Sequence, residues 1–217
     1  MKICGVLFDL DGTLVDSLED LTDAVNHMLA TFGKPELATD AVRRMVGKGA
    51  RHLVQQALSA DPAADIERGL QLFLEFNAGH IADKSRLYPG AREMLDKLAA
   101  AGIRMAIVSN KNEAMSRLIL QALDAEGYFS VISGGDSCAE MKPSPLPLLQ
   151  AMEQLGTTPG TTVMVGDSIN DIQAGRRAGI TTIGCSWGFG YPEELVDATL
   201  IAASCPELEP LLVQRGV

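Results

Sequence analysis

Apolar positions follow two different rhythms along the chain. From Ile3 to Phe8 they run almost unbroken, the pattern of a strand covered on both faces, and the run stops at Asp9-Leu10-Asp11-Gly12-Thr13. Beyond it, Leu18, Leu21, Val25, Met28, Leu29 and Phe32 fall on one helical face behind Asp16 or Ser17 as a cap, until Gly33 and Pro35 stop the helix. Helical spacing continues over 41–46, 53–58 and 66–81, with no strand pattern between Ser17 and Arg86. After Tyr88-Pro89-Gly90 the rhythm changes to short apolar runs alternating with amphipathic stretches. Strands are predicted over 104–108, 131–133, 162–165, 181–184 and 199–202, and helices over 91–101, 113–123, 146–155 and 169–178. Alternation of that kind predicts an α/β fold: a doubly wound parallel sheet, Rossmann-like, formed by residues 1–14 and 86–217 and interrupted by a helical domain over 15–85.

Composition narrows the function classes. The 217 residues suffice for one α/β domain with an insertion, and the 47% hydrophobic and 21% charged fractions are those of an ordinary folded chain, which excludes extended disorder. A formal net charge of -10 without any long Lys/Arg run argues against nucleic acid as a partner. Cys4, Cys138, Cys185 and Cys205 are scattered with no CxxC pair, which points to a reduced, cytoplasmic compartment. The short apolar run after Lys2 is cut by Asp9 and Asp11, so it reads as neither signal peptide nor anchor, and no stretch is long enough to span a membrane.

The chemistry collects where strands end, because open α/β sheets bind ligands beyond the carboxyl ends of their strands. Asp9 and Asp11 sit two residues apart and so leave the first strand on the same side. Two carboxylates held that close either share a proton or bind a cation, for which a hard divalent metal is the natural partner; Asp-Gly is also a common turn dipeptide. Val108-Ser109-Asn110-Lys111 offers a hydroxyl and backbone N–H groups to a phosphate or carboxylate, although Ser109 also reads as a helix cap. Lys142-Pro143-Ser144-Pro145 places a lysine on a stiffened approach to a helix. Gly166-Asp167-Ser168-Ile169-Asn170-Asp171 repeats the strand-to-glycine turn: Asp167 can reach the metal of Asp9 and Asp11, with Asp171 supporting it from behind.

These four segments, DLDGTLVDS at 9–17, VSNK at 108–111, KPSP at 142–145 and GDSINDIQAGRRAG at 166–179, resemble in kind and order the haloacid dehalogenase-like hydrolases, specifically the phosphatases whose helical cap follows the first strand. The resemblance implies that Asp9 is a nucleophile forming an aspartyl-phosphate, and that Asp11 protonates the leaving alcohol and then activates water. It further implies Mg²⁺ on Asp9, the backbone carbonyl of Asp11, and Asp167, with Ser109, the Asn110 N–H and Lys142 around the phosphoryl oxygens. Family members that displace halide lack an acid at the place of Asp11, so a dehalogenase is not expected.

Substrate choice would fall to the cap. Its Val46-Gly47-Lys48-Gly49-Ala50-Arg51 stretch resembles glycine-containing loops of phosphoglycolate phosphatases in this family, so Gly47, Lys48 and Arg51 are expected at the substrate, with 2-phosphoglycolate leading. The same residues also read as an interhelical turn with solvated cations. Within enzymes, a sugar-phosphate phosphatase or phosphoglucomutase-type mutase stays open; outside them, a phospho-accepting signalling module does, although such modules lack a helical block after strand one. The expected partner is a small phosphorylated metabolite, and the expected assembly a monomer or homodimer.

Overall fold

The computed structural model describes residues 3–213; the ends of the core segments named above, residues 1–2 and 214–217, lie outside them. In chain order the elements are β1 (Gly5–Phe8), β2 (Val15–Asp16), α1 (Leu18–Thr31), α2 (Thr39–Arg43), α3 (Gly49–Ala57), α4 (Ile66–Gly79), β3 (Arg86–Leu87), α5 (Ala91–Ala100), β4 (Arg104–Val108) and α6 (Glu113–Ala122). They continue as β5 (Val131–Ser133), α7 (Leu146–Leu155), β6 (Thr162–Gly166), α8 (Ile169–Arg177), β7 (Thr181–Cys185), β8 (Leu200–Ala202) and α9 (Cys205–Val213). No described helix is long and apolar enough to cross a membrane, and none of the four cysteines is in a disulfide.

The six-stranded sheet has the order β5-β4-β1-β6-β7-β8 and all its pairings are parallel, the doubly wound arrangement expected from the alternating pattern. Alternation of side chains divides β1 between two layers. Val6 and Phe8 join Leu95, Leu98, Leu208 and Leu212 of α5 and α9 on one face. Leu7 joins Leu148, Met152 and Ala174 of α7 and α8 on the other. Burying both faces is what makes the run read as continuously apolar.

Register aligns the strand ends. Phe8 pairs with Ile107 on one side and Val165 on the other. Asp9 therefore emerges between the ends of β4 and β6, close to Ser109 and Asp167. From β1 the sheet grows through β4 and β5 on one side and then through β6, β7 and β8 on the other, and this reversal opens the crevice where such folds hold ligands.

Helices α1 to α4 carry a hydrophobic cluster of their own, built from residues such as Leu21, Val25, Met28, Val54 and Phe73. The chain enters this block through β2 and leaves it through β3, which pair antiparallel with Val15 opposite Leu87 and Asp16 opposite Arg86. Two details differ from the periodicity reading. The β2–β3 ribbon is too short, at two residues a strand, to show a period. The stretch over 205–213 forms α9, although Pro206 and Pro210 lie within it; Pro206 falls in the first turn, where its missing N–H costs little.

Candidate active site

Four segments meet beyond the strand ends. Asp9 is 8% exposed, and the Leu10 N–H donates to its Oδ1 at 2.8 Å. Lys142 Nζ stands 3.1 Å from Asp9 Oδ1 and 2.6 Å from Asp171 Oδ1, with its side chain almost fully buried. Asp9, Asp167 and Asp171, all buried, each offer an oxygen, and these atoms lie within 4.8 Å of one another.

One ammonium against three buried carboxylates leaves the cluster short of positive charge, and the titration of Asp9, Asp167 and Lys142 reflects this. Burial pushes Asp9 up to about 6; Lys142 opposes that rise and Asp171 adds to it. Burial, then repulsion from Asp171 and Asp9, pushes Asp167 up to about 7. Burial alone would lower Lys142, but the carboxylates of Asp171 and Asp9 outweigh it and hold the ammonium charged. A set of clustered carboxylate oxygens with surplus negative charge has the chemistry of a hard divalent cation site, and Mg²⁺ fits it.

Each acid is held from outside the cluster. Asp171 fills two roles at once. Besides meeting Lys142, its Oδ2 accepts from the N–H and hydroxyl of Ser168 at 3.0 and 2.7 Å, closing a capping box at the start of α8. Asp167 accepts from the Thr13 hydroxyl at 3.0 Å and from the backbone N–H groups of Phe189 and Gly190 at 2.7 and 3.1 Å. Gly12, at φ 83, brings the backbone so close that a Cβ there would lie 2.4 Å from Asp167 Oδ2. The Asp11 carboxylate stands apart from these three. It accepts from Ser17 Oγ at 2.6 Å and from Lys111 Nζ at 3.1 Å.

Ser109 and Asn110 follow β4 and are both buried. The Asn110 side chain is a clip: its Nδ2 donates to the carbonyls of Lys142 and Gly47, both at 2.9 Å, and its Oδ1 accepts from the Lys142 N–H at 3.0 Å. Its backbone N–H has no acceptor among the described residues. Gly47, at φ 106, turns its carbonyl to the sheet, where Asn170 Nδ2 also donates to it at 3.2 Å.

The loop over 46–49 divides the space above the acids into two cavities, both touching Asp9 and Asp11. One, about 540 Å³, also borders Ser109, Asn110 and Lys111 and is walled by apolar residues of the helical block. The other, about 700 Å³, borders Asp167, Arg43 and Lys48. Arg51 reaches neither. Its guanidinium is engaged by the exposed Glu67 carboxylate, with one contact at 2.8 Å, because both residues face solvent at neighbouring helix ends. Arg51 instead borders a third space, beside Lys48 and Asn110.

Several contributors escaped the sequence reading. Lys111 closes the VSNK segment, where nothing in its spacing points to Asp11. Thr13 stands within DLDGTLVDS without a role of its own, and the loop over 187–190 feeds two N–H groups to Asp167, while Trp187 Nε1 donates to the Thr13 carbonyl at 3.1 Å. Arg43 fastens the same loop to the helical block through the carbonyls of Phe189 and Gly188. Such contacts are made across the fold, and no local spacing encodes them.

A parallel sheet with this constellation at its carboxyl ends defines a hydrolase of one family. Residues 6–185 match the family model described as haloacid dehalogenase-like hydrolase, and the chain belongs to that family. Its class is phosphoric monoester hydrolase, and its resemblance is to phosphoglycolate phosphatases. The chain is 41% identical over 198 residues to the phosphoglycolate phosphatase of Psychrobacter arcticus, covering 88% of this chain and 86% of that one. With the phosphoglycolate phosphatase of Chromobacterium violaceum it shares 38% over 215 residues, covering 97% and 96%. A crystal structure from Haemophilus somnus, described as that of a predicted phosphoglycolate phosphatase, superposes with a TM-score of 0.89 at 30% identity, covering 98% and 97%.

Proposed function

We propose that the chain is a Mg²⁺-dependent phosphatase that hydrolyses 2-phosphoglycolate through an aspartyl-phosphate on Asp9. The observation that carries this reading is the placement of Asp9 at the end of the central strand, beside Lys142 and within the acidic cluster, at the floor of both cavities. The relatives' shared name supports the choice of substrate. In the same reading residues 1–14 and 86–217 are the catalytic core and residues 15–85 a cap.

Mg²⁺ would be held by Asp9, the backbone carbonyl of Asp11, and Asp167, with Asp171 behind them, and would offset the repulsion between the Asp9 carboxylate and an anionic phosphate. An ionised Asp9 oxygen attacks phosphorus while the bond to the ester oxygen breaks, and Asp11 gives the departing alkoxide its proton. Ser109, the Asn110 N–H and Lys142 surround the equatorial oxygens, where positive charge and donors count most. Asp11, now a carboxylate, takes a proton from water; the water oxygen attacks phosphorus and the Asp9–phosphorus bond breaks, releasing inorganic phosphate. Lys111 and Ser17 keep the Asp11 carboxylate oriented for both transfers.

A phosphate-release screen over small monoesters with Mg²⁺, using Asp9→Asn as control, tests the proposal. Release from 2-phosphoglycolate by the parent and not the variant is expected. Equal release by both removes Asp9 as nucleophile. Good turnover of a sugar phosphate with none of 2-phosphoglycolate removes the substrate, and an isomerised sugar phosphate in place of free phosphate makes the chain a mutase.

A further inference from the structure

Helix α4 carries an apolar row at Ile66, Leu70 and Phe73, and the next residue in that row is Asn77. Asn77 is 3% exposed, so a carboxamide occupies a position that the helix reserves for hydrocarbon. Burying an amide without partners is costly, and buried side-chain amides are as a rule hydrogen-bonded. The Asn77 side chain nevertheless makes no hydrogen bond with any described residue. Nor are its polar atoms sealed in, since no fully buried side-chain nitrogen or oxygen among the described residues lacks a partner. Both conditions are met because Asn77 lines the 540 Å³ cavity that also borders Asp9, Asp11, Ser109 and Lys111.

The remaining walls sharpen its role. Leu21, Leu53, Phe73 and Met115 offer a ligand no polar side chain; Lys111, the one cation among the described residues lining this cavity, is engaged with Asp11 at 3.1 Å, and the Asn112 carboxamide, from outside the helical block, donates to Asp136 at 3.3 Å. The unspent side-chain hydrogen-bonding capacity that the helical block contributes to the cavity is the Asn77 carboxamide. Resting on the phosphatase reading above, we infer that Asn77 is a specificity-determining residue: its Nδ2 donates to the carboxylate of a small phosphorylated carboxylic acid whose phosphate lies against Asp9, Ser109 and Lys142. The apolar walls would then limit the length of the acid.

The test compares two esters with the same two-carbon chain, 2-phosphoglycolate and 2-hydroxyethyl phosphate, in the parent, Asn77→Asp and Asn77→Leu, with folding checked by thermal melting. Asn77→Asp keeps the shape but replaces the donor with a like charge, while its oxygens still accept from a hydroxyl. The ratio of kcat/KM on the carboxylate ester to that on the hydroxyl ester should fall roughly 10- to 100-fold in Asn77→Asp, the loss being mainly in KM. Asn77→Leu should weaken both esters, the carboxylate more. A ratio within twofold of the parent's in Asn77→Asp overturns the inference and leaves the phosphatase reading intact. Hydrolysis of neither ester by the parent overturns both.

Discussion

Replacing Lys142 by methionine removes one charge at nearly constant volume and isolates what that charge does. Its ammonium lies 3.1 Å from Asp9 and 2.6 Å from Asp171, with its side chain 1% exposed, so water cannot take its place. Removing one partner of a buried ion pair costs about 3–5 kcal/mol, because the other charge is left uncompensated. Here the cost depends on pH. In the metal-free protein Asp9 and Asp167 lie at about 6 and about 7, above the ordinary carboxylate value of 3.8. Both are therefore mostly protonated near pH 5 and mostly ionised at pH 8. Lys142→Met should lose the full amount, about 3–5 kcal/mol, at pH 8 and less than about half of it at pH 5, where fewer charges need the ammonium. Urea unfolding of parent and variant in chelator at the two pH values measures the difference. A loss that is the same at both, or larger at pH 5, would refute the argument that Lys142 holds carboxylate charge in the cluster.

Because folding raises the pKa of Asp9 and Asp167, the folded metal-free protein binds more protons than the unfolded chain, and its stability should fall as pH rises from about 4 to about 7. Mg²⁺ competes with those protons, so thermal melts should show stabilisation by Mg²⁺ that grows over the same window; a pH-independent Mg²⁺ shift would count against the acidic cluster as the metal site. Gly12→Ala forces a side chain onto a φ of 83 and into Asp167 Oδ2, and should cost at least about 1–3 kcal/mol in chemical denaturation along with Mg²⁺ affinity. Asp11→Asn should lower kcat by about 10²- to 10⁴-fold; a variant turning over within threefold of the parent would remove Asp11 as the proton carrier.

Much of the fold was legible because β1 and the strands around it are covered on both faces, so that Val6 to Phe8 and Val163 to Val165 read as apolar runs and the carboxylates beside them stand out. Asp9, Asp167 and Lys142 could be assigned to one site because parallel strands end on the same edge. Contacts between segments remote in sequence could not be read that way. Thr13 meets Asp167 across 154 positions, and Asn110 ties Lys142 to Gly47 with one amide. The pairing of Arg51 with Glu67 on a different helix was equally invisible, since nothing in the spacing beside Lys48 and the glycines encodes it. Asn77 gave no signal at all, since one polar residue in an amphipathic row looks like a break in the stripe until the surrounding space is known.

The central claim is that Asp9 carries the phosphoryl group. Acid quenching during turnover of 2-phosphoglycolate with Mg²⁺, followed by peptide mass spectrometry, tests it most directly. The account predicts one phosphoryl group on the peptide containing Asp9. Phosphate release without any modified Asp9, or with the phosphoryl group on another residue, would contradict it.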